Sequence, residues 1–73
     1  MEEKELKELL ARESPDFREA LEEHQRYEKA LETLGGKAFL TDEEKLKEKE
    51  FKKKKLFLKD RMYQLMVEYR KSL

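Results

Sequence analysis

LETLGGKAFLTDEEKL, residues 31–46, decides the fold. Gly35 and Gly36 are the only glycines in the 73-residue chain. They directly follow Leu34, where a helix terminus commonly takes a left-handed residue at C′. A helix is therefore expected to stop there on a left-handed cap. Five residues after Gly36, Thr41 is followed at the third position by Glu44. This is the capping-box spacing: the threonine hydroxyl accepts from the Glu44 amide and the carboxylate accepts from the Thr41 amide. Asp42 and Glu43 also suit the positive end of a helix dipole. A stop and a start separated by a short connection imply two antiparallel helices joined by a turn over 35–41.

Upstream, RESPDF (residues 12–17) carries a second start signal. Ser14 is an N-cap and Pro15 sits at the first helical position, where its missing N–H costs nothing. Proline also drives Ser14 out of helical angles, so a first helix ends near Arg12. The apolar spacing nevertheless runs through this break. Leu6, Leu10, Phe17, Ala20, His24, Tyr27, Leu31 and Leu34 fit one heptad frame in which only Glu13 is out of character. The pattern reads as one arm bent at Pro15 with both pieces showing the same face inward; a separate first helix is the alternative. The fold class is all-α: a single helical-hairpin domain with helices over 2–12, 15–34 and 42–72, assembling into a helical bundle. Antiparallel pairing about the turn sets Leu31 opposite Leu46, His24 near Lys53, and Leu6–Leu10 against Leu65–Tyr69.

The last helix is expected to carry more apolar surface than one partner can cover. At about 100° per residue, Phe51, Leu58, Met62, Leu65, Met66, Tyr69 and Leu73 share one arc, while Leu56, Tyr63 and Val67 form a second and Phe57 stands apart. A second copy of the chain is the simplest cover, which makes Phe51, Leu58, Met62, Leu65 and Tyr69 the candidate interface and the protein a homo-oligomer. A chain this short gains only a few kcal/mol from one core, so association also supplies stability.

Composition narrows the chemistry. Charged residues make up 49% of the chain, about twice the ordinary share, but the apolar residues are periodic, which argues against disorder. With no cysteine, disulfides and thiolate metal sites are excluded. A single histidine without a second ligand at helical spacing makes no zinc site, and the Glu-x-x-His element of di-iron bundles is absent because Leu21 lies three residues before His24. No cofactor is expected, and no enzyme: the two serines and the capping Thr41 lack a partnering base, and a hairpin has no natural pocket. The longest apolar run is three residues and the first ten are acidic, so neither a membrane span nor a secretory signal is expected. These features point to a cytoplasmic location.

Two features invite sharper readings. His24 lies at a core-type position; a packed imidazole is the plain account, and a polar register residue or pH device beside Lys53 is the sharper one. Lys52, Lys53, Lys54 and Lys55 form an unbroken run. As nucleic-acid contacts within a Lys45–Arg61 region they would need to share one side. Helical geometry instead spreads them round the whole circumference, and Glu48, Glu50 and Asp60 interleave. The net charge is zero, divided as −5 over residues 1–34 and +5 over 35–73. Solvation and pairing with acids of the first arm, Glu19, Glu22, Glu23 and Glu28, is the expected role, with nucleic acid the alternative.

Over most of its length the chain also resembles the YdcH-like family of short bacterial proteins of unknown function. The resemblance rests on the ordered set Leu9-Leu10, Ser14-Pro15, Phe17, Glu23-His24, Lys54-Lys55-Leu56 and Leu58-Lys59-Asp60. It implies a bacterial, cytoplasmic helical hairpin. It carries over no catalytic, ligand or partner residue, so the interaction partner stays unidentified.

Overall fold

The computed structural model describes residues 2–72; Leu73, placed on the first apolar arc of the last helix above, lies outside them. Among the described residues all regular structure is helical: α1 (Glu3–Glu13), α2 (Pro15–Gly35) and α3 (Asp42–Ser72). The molecule measures 48 × 19 × 16 Å. Its long dimension is that of α3 alone, whose 31 residues span about 46 Å at 1.5 Å per residue.

The break between α1 and α2 is one residue wide. Ser14 takes φ −107°, ψ 110°, the extended region to which proline restricts the residue before it. Its hydrogen bonds serve both helices. The Ser14 amide donates to the Leu10 carbonyl at 2.8 Å, its hydroxyl accepts from the Phe17 amide at 3.2 Å, and its carbonyl accepts from the Arg18 amide at 3.0 Å. The Arg18 side chain then reaches back, Nε donating to the Ala11 carbonyl and Nη2 to the Arg12 carbonyl, each at 2.8 Å. A cation thus satisfies acceptors that the end of α1 leaves open.

The expected inward face of the first arm survives this bend. Leu6, Leu10, Phe17 and Ala20 are buried in one cluster with Leu58, Met62 and Met66 of α3; Ala11, Leu21, Tyr27, Leu65 and Tyr69 pack round it. The core therefore lies at the end of the hairpin away from the turn, where α1 makes a third helix. It ends near Tyr27 and Phe51, whose ring centroids are 5.4 Å apart, one residue off the expected register. Beyond that level Glu48 and Glu44 of α3 are half-buried. Leu46, expected opposite Leu31, is 58% exposed. Twelve residues before Leu58, it lies about 120° round the helix from the inward line.

The turn departs from expectation in one respect. No glycine among the described residues has positive φ; Gly35 closes α2 and Gly36 sits at φ −81°, ψ −7°. The end of α2 is tied off by a tighter turn, Gly36 N–H donating to Glu32 O at 3.1 Å and Lys37 N–H to Leu34 O at 3.2 Å. Since no left-handed residue is required, alanine fits both sites. A Cβ at Gly35 meets nothing within 4 Å, and one at Gly36 meets only the Glu32 and Thr33 carbonyl oxygens at 3.7 Å. Gly35→Ala and Gly36→Ala should each raise stability by about 0.4–1 kcal/mol by restricting the unfolded chain. The double variant should accordingly melt several degrees higher, and lower melting in circular dichroism would restore the left-handed cap.

The capping box forms as the spacing required. Glu44 N–H donates to Thr41 Oγ1 at 3.1 Å, and Thr41 N–H donates to Glu44 Oε1 at 3.0 Å. Lys37 Nζ donates to Glu44 Oε2, closing the turn onto the first turn of α3. This ammonium, followed by the Thr41 amide, holds the Glu44 carboxyl down from 4.5 to about 2. A depressed folded pKa gives stabilisation that is whole above the unfolded value and is lost as pH falls through the folded one. Acid titration of helicity should therefore show a component between about 4.5 and 2 that Glu44→Gln abolishes. Thr41→Ala should cost about 0.5–2 kcal/mol at neutral pH, and unchanged melting would place the start of α3 elsewhere.

Candidate protein-interaction surface

The four lysines are placed by α3, and two of them turn to the first arm. Lys54 Nζ stands 5.6 Å from the centroid of the Tyr27 ring, within the range at which an ammonium is drawn to an aromatic face. Lys55 Nζ is 4.0 Å from Glu28 Oε1, the one acid of the four expected partners that it reaches. Lys52 pairs within its own helix, 3.6 Å from Glu48. Lys53 is exposed. The run thus gives one contact along α3, two across to α2 and one solvated head, with its stems fanned round the helix. Exposed pairs of this kind are worth at most about 1 kcal/mol each.

His24 finds its partner within its own helix. Its Nδ1 lies 3.9 Å from Glu28 Oε2, one turn along α2, and its side chain is 17% exposed. The imidazole thus shares Glu28 with Lys55 of the opposite arm. Among the described residues no group of three or more His, Asp and Glu side chains is placed to hold a metal ion.

The five residues nominated as an interface belong instead to the hairpin's own packing. Leu58 and Met62 are buried in the core, Leu65 and Tyr69 pack against it, and Phe51 meets the Tyr27 ring at a 46° tilt. Their shared arc is the stripe that α1 and α2 take up. The apolar surplus lies elsewhere on α3, at Leu56, Phe57 and Tyr63, which are 60%, 67% and 64% exposed. Val67, on the same arc as Leu56 and Tyr63, is half-buried. Phe39, at the tip of the turn, is 90% exposed and stands alone.

The position of α1 makes the two edges of the hairpin unlike. On one edge Glu3 and Lys7 of α1 meet Lys59, Met62, Tyr63 and Met66 of α3, leaving a cleft of only about 80 Å³. Along the other, the crease between α2 and α3 is open. It holds a depression of about 210 Å³ with Ala20 and Leu58 at its floor and Asp16, Glu19, Glu23, Phe57 and Arg61 round it. A second of about 260 Å³ adjoins it, sharing Glu23 and lined by Arg26, Tyr27, Ala30 and Phe51. Two alanines on α2 open this crease, and three acids spaced i, i+3, i+7 line one bank. The spacing of Asp16, Glu19 and Glu23 was legible in the sequence, but which edge α1 covers was not.

No helix among the described residues is long and apolar enough to cross a membrane. Compared with known proteins, the chain matches no family model, no curated protein and no solved structure.

Proposed function

We propose that this is a non-enzymatic helical protein whose work is association, with further copies of itself or with another protein. The observation that carries this reading is the exposure of Leu56, Phe57 and Tyr63, all more than half exposed on one helix. Leu56 and Tyr63 lie along one line of α3 and Phe57 about 100° round from it, and exposed large apolar side chains on one helix suit contact with a partner. The small core adds a second reason, since short chains gain stability from partners. The YdcH-like motif order supports the same picture of a short cytoplasmic hairpin.

The test is sedimentation equilibrium of the purified chain across micromolar to millimolar concentration, at about 50 and about 300 mM salt. Association through apolar surface should persist at both. The companion variant replaces Lys52, Lys53, Lys54 and Lys55 with glutamine, which keeps helix propensity nearly unchanged. It should fold and associate with only a modest loss of stability, smaller in high salt where surface attractions are screened. Co-purifying nucleic acid, seen at 260 nm, lost from the glutamine variant and released steeply by salt, would replace this reading with polyanion binding over Lys45–Arg61.

A further inference from the structure

Resting on the association reading, we infer that the open crease between α2 and α3 is filled by α3 of a second copy, forming a four-helix dimer about a two-fold axis parallel to the helices. The crease holds both halves of a fit. Phe57 stands 67% exposed on its α3 bank, and a depression of about 210 Å³ opens beside it over Ala20. Phe57 and Ala20 line the same depression, so they lie at one level along the hairpin. A two-fold axis along the helices preserves level and exchanges the arms. It therefore carries each Phe57 onto the partner subunit's Ala20 and sets each α3 against the partner's α2.

Charge selects this arrangement over the other two-fold. α2 carries six acids and three bases, a net −3, and α3 carries eleven bases and seven acids, a net +4. A two-fold axis across the helices would stack α2 on α2 and α3 on α3, like on like. The axis along them alternates sign around the bundle and sets Arg61 against the acidic bank that contains Glu19. Neighbouring helices then all run antiparallel, with the turns of both copies at one end. A two-fold contact closes on itself, so this surface by itself builds a dimer and no larger assembly.

The experiment uses the full chain. Wild type should sediment at twice the 8.9 kDa chain mass, and Phe57→Glu should weaken association at least about tenfold while keeping its helicity, because the side chain is exposed. Arg61→Glu and Glu19→Arg should each weaken the dimer alone, and an equimolar mixture of the two should recover it. A contact within one chain cannot be rescued by mixing. The chain lacks cysteine, so Ala38→Cys accepts a spin label in the turn. Pulsed dipolar spectroscopy should give about 20 Å between labels, two helix spacings. A distance near the 48 Å length would refute the parallel axis. Oligomers unaffected by Phe57→Glu would overturn this surface while leaving the association reading standing. A wild type that remains monomeric at millimolar concentration also overturns the dimer. In that case a purified partner captured by wild type and not by Phe57→Glu would show the crease to serve another protein, and failure to retain any protein would remove the association reading as well.

Discussion

Phe17→Ala should abolish the folded state at room temperature. Phe17 is fully buried, at the point where α1, α2 and α3 meet, and its amide also holds the Ser14 hydroxyl that starts α2. Removing a buried phenyl ring costs about 3–5 kcal/mol through lost transfer energy and the cavity left behind. That is as much as a single core in a chain of this size supplies. Circular dichroism at low concentration should show most helicity lost and no cooperative melt. A sharp transition within a few degrees of wild type would mean that the neighbouring leucines and methionines collapse into the space.

A comparable loss is expected from Leu58→Glu, and its contrast with Leu56→Glu tests the assignment of faces on α3. The two leucines are two residues apart, and helical geometry turns them about 160° from each other. Leu58 is buried between Ala20 and the methionines, whereas Leu56 is 60% exposed. A carboxylate at Leu58 either stays charged in an apolar site without a partner or takes up a proton to enter it, and both cost several kcal/mol. Leu58→Glu should unfold the chain at neutral pH and recover part of its helicity near pH 5, as the introduced carboxyl protonates with a raised pKa. Leu56→Glu should melt within about 0.5 kcal/mol of wild type. Equal effects at the two positions would show α3 rotated from the orientation described.

Much of this architecture is legible in the sequence because it is encoded locally. Thr41 and Glu44 cap α3 through groups three residues apart, and Ser14-Pro15 breaks the first arm through a clash between neighbours; neither depends on the rest of the molecule. Heptad spacing likewise gave the inward face of Leu6, Leu10, Phe17 and Ala20. What was not legible depends on direction in space. A serine-proline break states that the helix axis changes but not which edge of the hairpin α1 then covers, so the open crease over Ala20 could not be read. The glycine pair signalled an end to α2, yet an ordinary right-handed conformation ends it equally well once Lys37 N–H bonds to the Leu34 carbonyl. The choice of Leu58 and Met62 as a surface failed for a related reason: two apolar arcs on one helix do not say which of them faces home.

Because the core sits at the end of the hairpin remote from the turn, its two halves come from opposite ends of the chain. Leu6 and Leu10 meet Met62 and Met66 across more than fifty residues of intervening sequence. A helical hairpin with its apolar contacts next to the turn can zip closed from there, each step closing a short loop. This chain gains less from its first steps: near the turn Leu34 is buried, but Glu44 and Glu48 take the half-buried positions of α3. The entropy of a long loop must be met before the main contacts form, so the rate-limiting event is the search by which the distal ends find each other. Folding should therefore be slower than that of a helical hairpin whose apolar contacts begin at the turn.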